Sequence, residues 1–427
     1  MTARAATRPE RAALVGLATG RGGRAAAERS VAELAGLARA AGATVVLSML
    51  QERRAPDPAT FLGRGKVELL ARACDEAEAD VVIVDHELSP AQLRHLEAAV
   101  GRRVVDRTQL ILDIFARRAR TREGKGQVEL AQLRYLLPRL AGSGVMLSRL
   151  GGGIGTRGPG ETKLETDRRR IRQRIHAIAA ELDQIRRRRG QLRERRRKAS
   201  VPTVALVGYT NAGKTTLFNA LTGEAAQASD ALFVTLDPLV RKVRLPDRRA
   251  LLVSDTVGFI ERLPHTLVAA FRATLEEVAA ADLIVHVVDA AGPERDRRMA
   301  AVRSVLEEVG AAEVPVVVAF NKCDTLSADE RRRLEGAEPG ALCLSALTGE
   351  GLDRLLEVVS ARLALDTRRV VVELDPADEE DRERMAWLYR SARVVTQEDH
   401  EGRVTIEADV PRRLLGRLAP AAGGGHA

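Results

Sequence analysis

The run Gly208-Tyr209-Thr210-Asn211-Ala212-Gly213-Lys214-Thr215 sets two glycines, a lysine and a hydroxyl at the spacing that wraps a polyphosphate. Glycine lets the backbone curl so that successive N–H groups point at phosphate oxygens. Lys214 has the reach to bridge the β- and γ-phosphates, and the hydroxyls of Thr215 and Thr216 follow it into a helix start, with Thr215 suited to Mg²⁺. Three further groups follow downstream. In Asp255-Thr256-Val257-Gly258, the carboxylate would hold Mg²⁺ through water and the Gly258 N–H would meet the γ-phosphate. In Asn321-Lys322-Cys323-Asp324, the Asp324 carboxylate can accept two hydrogen bonds from guanine, which adenine cannot supply; the wrong base leaves a charge unpaired. Ser345-Ala346 is placed to back the base. Between the first two groups, Phe233-Val234-Thr235 carries the candidate mobile threonine that reaches Mg²⁺ only when γ-phosphate is present. Lys214, Thr235 and Gly258 are therefore the candidate catalytic residues, and Thr215, Thr235 and Asp255 the candidate Mg²⁺ holders. Together the groups imply GTP.

Phe259 follows Gly258 where a water-orienting glutamine would serve hydrolysis. A phenyl ring cannot orient water by hydrogen bonding, so intrinsic hydrolysis is expected to be slow until a partner, a backbone group or a monovalent cation orders the nucleophile. Asn211 is a candidate K⁺ ligand, and loop stabilisation is its alternative role.

Positioning these groups requires strands that end where the loops begin. Apolar strand candidates run over 203–207, 240–245, 250–254, 283–288, 315–320 and 341–344, alternating with helical patterns. A smaller strand–helix alternation precedes them, with strands at 12–17, 44–47, 81–84 and 104–105 and a Ser89-Pro90 helix start. In that region Gly63-Arg64-Gly65-Lys66 reads as a glycine turn into a helix, and Asp85-His86-Glu87 as a capped, solvated loop. From Arg107 the pattern is helical, with Pro138 expected to end or kink one helix. Beyond a glycine-rich loop at 151–160, Leu164, Ile171, Ile175, Ile178, Leu182, Ile185 and Leu192 form one narrow apolar seam, which implies a helical hairpin. After the nucleotide segment come a strand at 370–374, a helix at 379–391, strands at 392–395 and 404–408, and a last helix from Pro411.

The 427 residues carry a formal net charge of +9, with 45% hydrophobic and only 3% aromatic residues. A globular protein with a polyanionic partner fits, and base stacking is disfavoured as the main mode of RNA binding. The seam helix is one-sidedly basic; Arg186, Arg187, Arg188 and Arg189, with Arg157 and Lys163 near the glycine loop, are the candidate RNA contacts. An acidic lipid surface is the alternative polyanion, although the helix's apolar seam is already committed to packing. Three scattered cysteines fit a reducing cytosol, and no apolar run has the length of a membrane span.

Residues 151–169, 208–217, 235–238 and 255–260, together with 87–94 and 105–115, resemble the motifs of the HflX family of GTPases. The resemblance covers about Val15 to Leu365. It implies a small N-terminal parallel α/β domain (1–120), a coiled-coil-like helical hairpin (121–199), a Ras-like P-loop domain (200–366) and a small α+β C-terminal domain (367–427). It also implies a GTPase that binds the large ribosomal subunit and splits stalled or idle ribosomes. A cytoplasmic monomer is expected beside it. The rival expectation is a GTPase that remodels or matures rRNA or tRNA without splitting subunits.

Overall fold

The computed structural model describes residues 8–20, 23–140, 159–199, 201–224, 232–233, 235–236, 239–246, 249–260, 277–292, 294–364, 367–400, 402–411 and 415. These fall into two units. One holds residues 8–185 with 232, 233, 235 and 236; the other holds the remainder.

The first unit starts with four strands in a wholly parallel sheet of order β2-β1-β3-β4: β1 (Arg11–Ala18), β2 (Thr44–Glu52), β3 (Val81–Val84) and β4 (Arg103–Asp106). Strands β1 and β3 are apolar almost throughout because a parallel sheet is covered on both faces. The crossovers are α1 (Gly23–Ala40), α2 (Arg64–Glu76) and α3 (Pro90–Val100). Helix α1 buries Val31, Leu34, Leu37 and Ala38, the three-and-four spacing of a single face. Helix α3 starts with a Ser89–Gln92 capping box and Pro90 at its first position, and ends at Gly101 with φ 67°. Gly63 precedes α2 as the glycine turn expected there.

The stretch 85–87 departs from expectation. Glu87 is exposed, but Asp85 is only 1% exposed and accepts from Arg107 at 2.7 Å; the same guanidinium reaches Glu33 at 2.7 Å. The partner follows the end of the neighbouring strand, 22 residues on, so local polarity alone did not reveal the burial.

Helix α4 (Arg107–Arg118) is capped by Asp106, and α5 (Arg122–Arg139) carries Pro138 in its last turn. Helix α6 runs Pro159–Ala199. Gly126 of α5 opens a space on which Leu182 and Ile178 of α6 pack, and a Cβ there would lie 3.4 Å from the Leu182 methyl. Ion pairs Arg122–Glu181 and Arg174–Glu129 flank the contact at 2.6 and 2.7 Å. Both pairs are solvent-exposed and screened by water and salt, so the apolar seam carries the packing. The two helices thus pair as a hairpin. The glycine loop expected at its tip, Arg157 included, lies outside the described residues.

The second unit is built on a six-stranded sheet of order β10-β9-β8-β5-β7-β6. Its strands are β5 (Thr203–Val207), β6 (Leu239–Arg244), β7 (Ala250–Asp255), β8 (Leu283–Asp289), β9 (Val316–Asn321) and β10 (Leu342–Cys343). All pairings are parallel except β6 with β7. Its helices are α7 (Lys214–Thr222), α8 (Arg295–Glu308), α9 (Ala328–Ala337) and α10 (Leu352–Ala364). One core face packs Leu206, Phe218, Val253, Val285 and Leu355.

A three-stranded antiparallel sheet, β11 (Thr367–Leu374), β13 (Arg403–Pro411) and β12 (Arg393–His400), then packs with α11 (Glu379–Ser391) around Leu374, Leu388, Ile406 and Val410. Pro411 closes β13, and the helix expected from it falls outside the described residues. Its missing N–H is tolerated at a strand end, and the residues after it are described only at Leu415.

Candidate active site

Parallel strands deliver their carboxyl ends to one edge, and the chemistry-bearing loops collect there. β5 ends at Val207, and Gly208 to Gly213 turn into α7. Two positions in this loop need glycine. A Cβ on Gly208 would lie 2.2 Å from the Val287 carbonyl, and one on Gly213, at φ 92°, 2.2 Å from Asn321 Nδ2. Asn211 also takes a left-handed conformation, φ 62°, which asparagine tolerates.

Lys214 folds back over the loop, donating to the carbonyls of Gly208 and Tyr209 at 3.0 and 2.9 Å. Burial pushes its ammonium down to about 8, against a smaller opposing pull from Asp255. The Thr215 hydroxyl donates to Asp255 Oδ2 at 2.8 Å, which joins the loop to the end of β7. Asp255 is fully buried. Thr256 donates to the Leu206 carbonyl at 2.7 Å and Val257 is buried, so this turn is fastened to the sheet. A Cβ on Gly258 would come 2.8 Å from the Thr210 methyl and 3.1 Å from Lys214 Nζ; only glycine lets the backbone approach that lysine. Thr216 is half-buried in the first turn of α7.

Phe259 is a strap. Its ring is buried at 2% exposure, its N–H donates to the Gly208 carbonyl at 3.1 Å, and its carbonyl accepts from Thr210 at 2.8 Å. It fixes the phosphate loop and presents nothing that could orient a water.

The base side converges on Asn321. Its Nδ2 donates to the Ala212 carbonyl at 2.9 Å, and its Oδ1 accepts from the Ala346 N–H at 2.8 Å. Lys322, at φ 65°, pairs with Asp289 at 2.7 Å. Ser345 is buried, while Asp324 is exposed in a single 3₁₀ turn, Cys323–Thr325, free to meet a base edge. The structure therefore brings together Gly208 to Thr215, Asp255, Gly258, Asn321 and Ala346. Thr235 belongs to a segment that packs with the first unit: Phe233, at φ 57°, sets its ring edge-on to Phe115 with centroids 4.7 Å apart, and Leu232 covers Gly36. Val234 lies outside the described residues. Of the candidate RNA contacts, Arg186, Arg187 and Arg188 are exposed on α6 and Arg189 is half-buried; the Lys163 side chain is outside the described residues.

Sequence reasoning missed three members. Asp289 clamps Lys322, and Arg298 stands over the Tyr209 ring at 5.2 Å. His286 sits on β8 behind the loop, its pKa held down at about 4 by burial and then by Arg303 and Lys214. A histidine in the apolar run Leu283-Ile-Val-His-Val-Val-Asp289 was the available signal for the last.

A phosphate loop at the first strand, a carboxylate at the parallel neighbour's end and an Asn-Lys-x-Asp loop define a guanine-nucleotide-binding P-loop GTPase. The chain matches four family models in succession: GTP-binding GTPase N-terminal over 28–116, GTP-binding GTPase middle region over 118–196, 50S ribosome-binding GTPase over 203–322 and HflX C-terminal domain over 332–417. It is 46% identical to the GTPase HflX of Caldanaerobacter subterraneus subsp. tengcongensis, covering 92% of this chain and 90% of the relative. It is also 46% identical to that of Escherichia coli strain K12, with 89% of each chain covered. Among solved structures, a GTP-binding protein of Sulfolobus solfataricus in complex with GDP is similar at 24% identity and TM-score 0.43, covering 83% of this chain and 98% of that one. The chain belongs to the HflX family and is a GTP phosphohydrolase.

Proposed function

We propose that the protein binds the large ribosomal subunit in its GTP state, splits stalled or idle ribosomes, and is released when the ribosome stimulates hydrolysis. The observation that carries this reading is the exposed arginine run at 186–188, on the helix that leads directly into β5 and the phosphate loop. The match of 203–322 to a 50S ribosome-binding GTPase model supports it. Within the site, the backbone N–H groups of 208–215 hold the phosphates, and Lys214 neutralises the β- and γ-oxygens. The Gly258 N–H faces the γ-phosphate. The Thr215 hydroxyl and the Asp255 carboxylate form an oxygen donor set that fits Mg²⁺; bound there, the ion would supply charge neutralisation on the phosphates. Thr235 would join that set in the GTP state.

Phe259 leaves the attacking water without an orienting side chain, so hydrolysis waits for the ribosome, assisted by K⁺ at Asn211. Asn211 is exposed and makes no hydrogen bond with another described residue, which leaves its amide oxygen available. We further propose the four-part division at 120, 199 and 366, a monomer, and a cytoplasmic location. The free cysteines fit that compartment, and among the described residues no helix is long and apolar enough to cross a membrane.

The test measures GTP turnover with and without purified large subunits, in KCl and in NaCl, followed by sucrose-gradient profiles of intact ribosomes. Stimulation by subunits, a higher rate in KCl and conversion of whole ribosomes to subunits are expected. Stimulation without conversion would assign the rRNA-remodelling alternative, and no stimulation would reject a ribosomal partner.

A further inference from the structure

On the α8 face of the nucleotide sheet lies a cavity of ≈320 Å³ that the GTP chemistry does not use. His286, Leu306 and Val318 form its buried floor, and Arg303, Glu307 and Arg362 stand on its rim. Val316 opens β9, and Gly340 and Ala341 precede β10, so the cavity gathers residues from the amino-terminal ends of the strands. It opens at the sheet edge opposite the phosphate loop.

His286 is the unexplained group. It is 2% exposed, and a buried imidazole normally satisfies both nitrogens, yet it makes no hydrogen bond with any described residue. Because burial keeps the ring neutral at pH 7, it offers one donor and one acceptor, and it lines both this cavity and the small space beside the phosphate loop. The rim is polarised. Arg303 is paired with Glu338 at 3.0 Å, whereas Arg362 meets no carboxylate among the described residues. Glu307 stands on the α8 side and Arg362 on the α10 side, so an anionic group is accommodated at the α10 side only. The volume lies at the lower end of small-molecule sites.

We propose that this cavity binds a small planar aromatic carboxylate, its ring on Leu306 and Val318, a ring heteroatom on His286 and its carboxylate on Arg362. The site reaches the phosphate loop. His286 and Thr210 line a common space of ≈10 Å³, and the Thr210 hydroxyl is buried without a hydrogen-bond partner among the described residues. That volume suits one bridging water, which would join cavity, imidazole and loop.

The experiment titrates nicotinate (pyridine-3-carboxylate) into the full-length protein with ¹⁵N-labelled histidine and follows the ring resonances, in wild type and in Arg362→Gln. Arg362 is exposed, and wild-type GDP affinity in the variant verifies its fold. A saturable shift of the His286 resonance is expected, with a Kd on the order of 1 mM for a ligand of this size. The variant should bind about tenfold more weakly, the loss of one charge-assisted hydrogen bond. No saturable shift of His286, or equal affinity in Arg362→Gln, would overturn the proposal.

Discussion

Lys214 shows how much of the site's behaviour rests on burial. In the nucleotide-free site its ammonium loses water and gains only carbonyl oxygens, with the Asp255 carboxylate close enough for a weak attraction, so it gives up its proton near pH 8. Phosphate oxygens restore the charge. Above pH 8 the free site is mostly neutral and the bound site cationic, so GTP binding takes up a proton; at pH 7 both states are already charged. Calorimetry at pH 9 in two buffers of different ionisation heat should therefore report uptake of about 0.9 proton, falling to about 0.1 at pH 7. The same shift bears on folding. The unfolded chain holds this proton up to about 10.5 and the folded chain only to about 8, so this group's contribution to stability rises with pH through that interval. Equal proton uptake at both pH values would show that the ammonium is not desolvated in the free site.

The hairpin is where an element's sequence and packing can be set against each other. Gly126 lies inside α5, where glycine costs about 1 kcal/mol relative to alanine. The space above it is filled by Leu182 and Ile178, and a Cβ at 3.4 Å is ordinary van der Waals contact. Gly126→Ala should therefore stabilise the protein by about 0.5–1 kcal/mol, and Gly126→Leu should destabilise it by about 1–3 kcal/mol through overpacking. Chemical denaturation checks both signs; destabilisation by alanine would mean that α5 and α6 pack more closely than described. Periodicity made these helices legible, as it did the strands, because a seam and a buried run are local properties. The phosphate and base loops were legible for the same reason: each is a contiguous motif at a strand end. The Asp85–Arg107–Glu33 cluster was not, since its members are brought together only by the order of the parallel strands. Neither was the edge-on Phe115–Phe233 contact, which joins residues over a hundred positions apart.

At the scale of the whole molecule, a net charge of +9 sets the approach to any polyanion. Arg186, Arg187 and Arg188 are exposed on α6 and outside the nucleotide loops. Replacing residues 186–189 by glutamine should weaken binding to large subunits and flatten the slope of log affinity against log salt by up to about four contacts' worth. GDP affinity should be unchanged. Filter binding at several KCl concentrations measures the slope, and an unaltered slope would remove this run from the RNA interface. The molecule's scale also explains why Phe259 could be read from the sequence as a missing function but not as a structural part: its backbone bonds to Gly208 and Thr210 exist only once β5 and β7 lie side by side.

The Asn321 side chain ties the carbonyl of Ala212 to the N–H of Ala346 and occupies the space a side chain on Gly213 would need. The consequence is genetic as much as mechanical. Positions 213 and 321 constrain each other unequally: any side chain at 213 collides with the amide at 321, and any shorter residue at 321 unfastens two loops at once. Shortening 321 would lift the collision but leave the strain of a side chain at φ 92°, so 213 stays glycine even where 321 changes.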